Sequence, residues 1–157
     1  MSAVVEGHQP PAPLVKAFNG VLRALLPSPL GRGVREFMLL AFTGRRSGRR
    51  YRVPVTAHRD AGGPYVLTPA GWRLNFTGGA DADVTFAGRT TPMRGVLVDD
   101  EAAVVRLYLD RITELGRRGA ARQIGLRFPA GRLPTSDEVT RLVRREHFGV
   151  VRLSRKT

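Results

Sequence analysis

Apolar residues recur at helical spacing near the start of the chain. Leu14, Ala17, Phe18, Val21, Leu22, Leu25 and Leu26 form one stripe, with Lys16, Asn19 and Arg23 off it. This predicts a helix ending near Pro27, with Pro29 and Gly31 reinforcing the break. From about residue 35 to residue 98 the pattern changes to strands. Phe37 to Phe42 is a short apolar run, and Arg52 to Ala57 is β-branched and alternating, with Pro54 marking an edge position or a bulge. Thr43 to Arg50 lies between them as a glycine-containing hairpin turn. Asp60 to Gly63 is a second turn, and Tyr65 to Thr68 a strand broken by Pro69-Ala70-Gly71. Asp83 to Phe86 and Thr91 to Val98 read as a hairpin around Ala87-Gly88-Arg89.

The last third is mixed. Asp99-Asp100-Glu101 places negative charge at a helix start, where the macrodipole favours it. Val104, Val105, Tyr108, Ile112 and Leu115 give that helix an apolar face, and Gly116 is expected to end it. Thr135-Ser136-Asp137-Glu138 fits a capping box, opening a short helix with Val139, Leu142 and Val143 inward. Phe148 to Leu153 reads as a final strand. Residues 1–10 are expected to be disordered, leaving 11–157 as one domain. Several short strands with tight connections predict an α+β protein, a small antiparallel barrel with helices at its ends.

Composition narrows the chemistry. There is no cysteine, so disulfides, iron–sulfur clusters and a thiol nucleophile are excluded. The three histidines, His8, His58 and His147, show no metal-ligand spacing. No apolar run approaches the roughly 20 residues that span a bilayer. The N-terminus lacks the apolar region of a signal peptide, which makes cytoplasmic residence the expectation. The basic N-terminal helix has two readings, packing on the domain's own core or lying on a membrane surface. A net charge of +13, almost all of it arginine, suits an acidic partner, although arginine-rich usage also follows from genome base composition. The placement of the arginines has to decide.

Residues 43–50, "TGRRSGRR", concentrate them in one turn. Gly44 and Gly48 can adopt positive φ and let backbone N–H groups converge on an anion, while Thr43 and Ser47 add hydroxyls. Arg45, Arg46, Arg49 and Arg50 offer forked donors for phosphate or carboxylate. The spacing is not that of a Walker A loop. The alternatives are an anion clamp and a solvated hairpin turn. Nucleic-acid binding is disfavoured, because aromatic residues do not interleave with the basic stretch as stacking platforms require.

"FMLLAFTGRRSGRRYRVPV" resembles the signature of the deazaflavin-dependent nitroreductase family, and "YVLTPAGWRLNF", "DADVTFAGRTTPMRGVLV" and "HFGVVRLSRK" are similar to its following segments in the same order. The resemblance implies a split antiparallel β-barrel of six or so strands, with an N-terminal helix and C-terminal helices around it. It also implies binding of the deazaflavin coenzyme F420, with FMN as the alternative. The family's basic loop holds the coenzyme's phosphate and acidic tail, which carries over to Arg45, Arg46, Ser47, Arg49 and Arg50, with Arg52 on the next strand. Main chain around Val53 and Pro54, and the segment holding Thr68, Pro69 and Ala70, would flank the ring. Trp72, Arg73 and Asn75 match cofactor-contacting positions, Trp72 alternatively being a core aromatic. The implied activity is hydride transfer to an electron-poor small molecule such as a quinone, enone or nitro compound, with a non-catalytic cofactor carrier as the alternative. The catalytic proton would come from water, Tyr108 or His147. The Arg117 to Arg132 stretch either borders the substrate mouth or is a solvated connection, and a homodimer is expected by analogy.

Overall fold

The computed structural model describes residues 6–7, 12–128 and 131–156. Apart from Glu6–Gly7, the stretch expected to be disordered lies outside the described residues. The elements in chain order are β1 (Glu6–Gly7), α1 (Ala12–Leu25), β2 (Phe37–Thr43), β3 (Arg50–Thr56), β4 (His58–Asp60), β5 (Gly63–Thr68), β6 (Ala80–Phe86) and β7 (Arg89–Leu97). They continue with α2 (Glu101–Gln123), β8 (Leu126–Arg127), α3 (Ser136–Glu146) and β9 (Gly149–Arg155). Seven strands form one sheet in the order β3-β2-β6-β7-β9-β5-β4, and β1 pairs with β8 in a second, two-stranded one. This is the α+β, split-barrel class expected from the sequence.

Two compact units divide the chain. One comprises Pro10–Val66, Trp72–Leu97 and Val151–Thr157; the other comprises Met1–Gln9, Leu67–Gly71 and Val98–Val150.

In the sheet-bearing unit, β2 is buried on both faces. Met38, Leu40 and Phe42 join a core with Val66, Phe76, Ala82, Val84, Met93, Val151 and Leu153. Leu39, of opposite parity, packs with Leu22 and Leu26 of α1. The two-sided burial explains why β2 reads as an unbroken apolar run rather than an alternating one. Strand β3 is the sheet's edge. Its Arg52 carbonyl accepts from Arg23 Nε of α1 at 3.0 Å, so that carbonyl points away from β2. Two residues on, Pro54 has the same orientation, and its missing N–H falls on the unladdered side. The Asp60–Arg152 pair, with both guanidinium nitrogens Nη1 and Nη2 on the carboxylate at 2.7 and 3.0 Å, ties β4 to β9. It holds the Asp60 carboxyl below its ordinary range.

In the helical unit, α2 and α3 pack together, burying Val104, Val105, Tyr108, Ile112, Val139, Leu142 and Val143. Asp100 caps α2 by accepting from Ala102 N at 3.2 Å. Gly116 breaks the helical backbone as expected, with φ 73° and ψ 178°, but the chain then resumes helix to Gln123. The reading of Arg117 to Arg132 as a solvated connection is thereby corrected over Arg117 to Gln123, which is helical. Arg117-Arg118-Gly119-Ala120-Ala121-Arg122 is rich in good helix formers, and Ala120 is fully buried. Leu126 is likewise buried, on the strand that pairs with β1.

The capping box of α3 forms as the sequence predicts. Thr135 Oγ1 accepts from Glu138 N at 3.3 Å, and Thr135 N donates to Glu138 Oε1 at 2.9 Å. Arg132 Nη1 also donates to Glu138 Oε1, at 2.8 Å. With Arg132 as the main cause and the Thr135 N–H next, the Glu138 carboxyl is pulled down to about 2.

Thr135→Ala is expected to cost about 1 kcal/mol, lowering Tm by roughly 2–4 °C in thermal unfolding. Because the folded-state pKa of Glu138 is depressed, its contribution is complete above the ordinary glutamate range and is lost as pH falls from there toward about 2. Urea midpoints measured across that acid window should therefore drop less steeply for Glu138→Gln than for the parent.

Candidate functional site

The arginine turn leaves β2 at Thr43 and returns into β3 at Arg50, which face each other at the end of the ladder. Its own hydrogen bonds fix it. Gly44 N donates to Arg49 O at 2.8 Å, and Gly48 N to Gly44 O at 2.9 Å. Arg49 N donates to Ser47 Oγ at 3.2 Å, and that oxygen lies 3.3 Å from the Tyr51 hydroxyl. Arg45 N reaches outside the turn to Asn75 Oδ1 at 2.9 Å.

These bonds revise the expectation of a backbone cradle. Four N–H groups of the turn are committed to holding it, leaving those of Arg46 and Ser47 uncommitted among the described residues. Gly48 has the expected positive φ, at 69°, but Gly44 does not. Gly44 is required for space. A Cβ there would sit 2.7 Å from Tyr51 Cε2 and 2.7 Å from Ser47 Oγ. Any grip on an anion therefore comes chiefly from side chains.

The five predicted arginines of the turn and the strand after it divide into two groups. Arg50 Nη2 is engaged with Asp83 Oδ2 at 2.8 Å, and its Nη1 with Thr43 Oγ1 at 3.4 Å. Arg52 Nη2 donates to Arg23 O at 3.3 Å, closing a reciprocal pair that ties α1 to the edge strand. Both therefore have structural partners. Arg45, Arg46 and Arg49 are exposed, and their guanidinium groups have no hydrogen-bond or ion-pair partner among the described residues. Three cations within five residues repel one another unless an anion is near.

Asn75 lies in a 3-10 turn, Gly71–Phe76, that the strand pattern did not predict. Phe76 is fully buried and anchors the turn; a Cβ on Gly95 would meet its ring at 2.6 Å, so the glycine makes room for it. Trp72 is half-buried against Phe42, with centroids 5.7 Å apart, and against Phe76 at 6.1 Å, which is the core reading of this residue. Asn75 uses both ends of its amide, accepting from Arg45 N and donating from Nδ2 to Trp72 O at 2.8 Å. It positions the arginine turn. Arg73 is half-buried in the same turn.

Other expected site groups behave differently. Val53 lies opposite Leu40 in the ladder, and Pro54 has no N–H to offer, so of these two residues only the Pro54 carbonyl faces outward. Thr68, Pro69 and Ala70 all lie in the Leu67–Gly71 segment of the helical unit, where Thr68 Oγ1 accepts from Ala70 N at 3.0 Å. Tyr108 is buried, donates its hydroxyl proton to Gly149 O at 2.9 Å and stacks on Phe148, so it is a brace rather than a proton source. His147 is exposed at the left-handed C-cap of α3. Sequence reasoning missed Tyr51 and Asp83. The only signal for them was register, which sets Tyr51 opposite Phe42 and Asp83 opposite Ala41. Among the described residues, no group of three metal-ligating side chains comes together, and no helix is long and apolar enough to cross a membrane.

No family model and no curated protein matches this chain. Among solved structures it is similar to HutZ, the heme storage protein from Vibrio cholerae, at 15% identity over 93% of this chain and 90% of that one, with a TM-score of 0.47. A domain-swapped dimer matches at 14% identity over 92% and 100%, with a TM-score of 0.48. The conserved hypothetical protein Rv2991 from Mycobacterium tuberculosis matches at 12% over 88% and 80%, with a TM-score of 0.45. Likeness at this level carries no ligand or chemistry to this chain.

Asn75→Ala leaves the Arg45 amide and the Trp72 carbonyl without their partner. Amide exchange at Arg45 should accelerate roughly tenfold, with a global stability loss of about 1 kcal/mol.

Proposed function

We propose that the protein binds a phosphate- and carboxylate-bearing redox coenzyme, the deazaflavin coenzyme F420 in preference to FMN, and works as an oxidoreductase on an electron-poor small molecule. The observation that carries this reading is the trio Arg45, Arg46 and Arg49, exposed and without ion partners among the described residues, on a turn held rigid by its own bonds and by Asn75. Guanidinium forks of this kind grip phosphate and carboxylate oxygens bidentately. A rigid platform loses little conformational entropy on binding, so more of each charged contact appears as affinity. The residues therefore fit the acidic portion of such a coenzyme, with Arg46 N–H and Ser47 N–H as additional donors. When bound, the coenzyme supplies the carbon that donates or accepts hydride. The chain's own part is to hold its anionic tail at the turn and to orient the rest by that anchor. A chain that needs only to bind and orient requires no thiol or metal site of its own.

Titration into coenzyme F420, followed by its fluorescence and run beside FMN and duplex DNA, tests the reading. Saturable deazaflavin binding that weakens with added salt is expected. Arg46→Ala combined with Arg49→Ala should weaken it by roughly 10- to 100-fold, since each removes a charge-assisted contact. Tight binding of DNA but of neither coenzyme would refute the proposal, as would deazaflavin binding indifferent to the double substitution. Turnover is then assayed with the reduced coenzyme against quinones, enones and nitroaromatics.

A further inference from the structure

Helix α1 presents solvent with a face that has no polar side chain. At 100° per residue, Lys16, Asn19 and Arg23 crowd into an arc of about 60°. Leu22 and Leu26 are the side chains buried against Leu39, beside Val34 and Phe37. The rest of the circumference, described from Lys16 onward, carries Ala17, Phe18, Gly20, Val21, Ala24 and Leu25. Phe18 remains 51% exposed although its edge meets the Phe37 ring at 5.5 Å, and Val21 is 60% exposed. Just beyond the helix, Leu30 is 76% exposed. A surface helix normally shows water its charged face. Here the apolar arc extends far past the part the core covers.

The charge around this face identifies what covers it. Sixteen of the 26 lysines and arginines, but four of the 13 acidic residues, fall in the sheet-bearing unit, which therefore holds twelve of the thirteen net positive charges. Exposed Lys16, Arg32 and Arg35 lie close in sequence to the apolar residues, and Arg32 Cγ would be 2.5 Å from a Cβ on Gly88, so the β6–β7 turn borders the same region. A second copy docking here would set one such cationic unit against another. A partner both apolar and negatively charged meets both features at once.

We infer that α1 and the Leu30 segment form a docking surface for an anionic lipid bilayer. The helix lies in the interface plane, with Phe18, Val21 and Leu30 reaching the acyl boundary and the arginines meeting lipid phosphates. The Phe18 end of this surface lies away from the arginine turn, and the helix approaches β3 beside the turn through Arg23, on its polar arc. Phe37, against Phe18, and Thr43, where the turn begins, are opposite ends of β2, roughly 20 Å apart at strand rise. Docking therefore leaves the turn free, and the inference stands independently of the coenzyme.

The test is sedimentation of the full chain with vesicles of phosphatidylcholine alone and of phosphatidylcholine mixed with phosphatidylglycerol. Binding to the mixed vesicles and not to the neutral ones, reversed by high salt, is expected. Val21→Ser and Leu30→Ser should each weaken it roughly tenfold without changing Tm, both side chains being exposed in the free protein. In a Phe18→Trp variant, excitation of the added indole should give blue-shifted emission on anionic vesicles relative to the parent, whose one tryptophan is Trp72. The Arg46→Ala, Arg49→Ala variant should still sediment. Absence of binding, equal binding to neutral vesicles, or loss of binding in that arginine variant would each overturn the assignment. So would a concentration-dependent dimer abolished by Val21→Ser, which would make a second copy the occupant.

Discussion

Three rings close on Phe42, and the geometry of the arginine turn depends on that packing. Tyr51 stacks on it at 5.7 Å, Phe76 meets it edge-on at 5.1 Å, and Trp72 leans on it at 5.7 Å. Phe42 is the last buried residue of β2 before the chain turns. Tyr51 is the second residue of the returning strand, and Trp72 and Phe76 bring in the segment that carries Asn75. Aromatic pairs of this kind contribute about 0.5–1.5 kcal/mol each beyond the area they bury. Their larger effect is positional. They place the Asn75 amide where it receives the Arg45 N–H, and Tyr51 where it excludes any side chain at position 44.

The electrostatics build outward from that apolar base. The acidic side chains of the sheet-bearing unit are few and mostly paired: Asp83 with Arg50, Asp81 with Arg94 and Lys156, and Asp60 with Arg152. These pairs are largely exposed, and each is worth little in stability. What they do is distinguish arginines that serve the fold from arginines whose guanidinium groups have no protein partner among the described residues. In the helical unit the charges are closer to balance, and pairs such as Arg144–Glu101 and Arg132–Glu138 join helix starts to their surroundings. The excess positive charge is thus a property of one unit rather than of the whole chain.

Much of this was legible in the sequence because local chemistry determined it. The capping box at Thr135–Glu138, the break at Gly116, the hairpins and the edge position of Pro54 each depend on a few neighbouring residues. The resumption of helix after Gly116 was not, since a glycine that breaks a helix does not reveal whether the next turn finds burial, as Ala120 does. The role of Asn75 was hidden for a different reason. Its partner Arg45 is thirty residues away, and a contact at that separation is set by packing rather than by motif. The arginine motif itself was plain, yet its glycines and N–H groups serve the turn's own structure, and the sequence did not separate Arg50 and Arg52 from Arg45, Arg46 and Arg49. That division follows from where Asp83 and α1 lie.

Pro54 carries one further consequence. An edge strand ordinarily offers a row of unpaired donors and acceptors on which another chain can build, the first step toward ordered aggregation. On β3 that row is interrupted, because the outward donor at position 54 is missing and the Arg52 carbonyl beside it is occupied by Arg23. Growth of the sheet past this edge would have to skip two consecutive outward sites. A protein that keeps a cationic turn exposed at the end of an edge strand is thereby shielded from polymerising through that same edge.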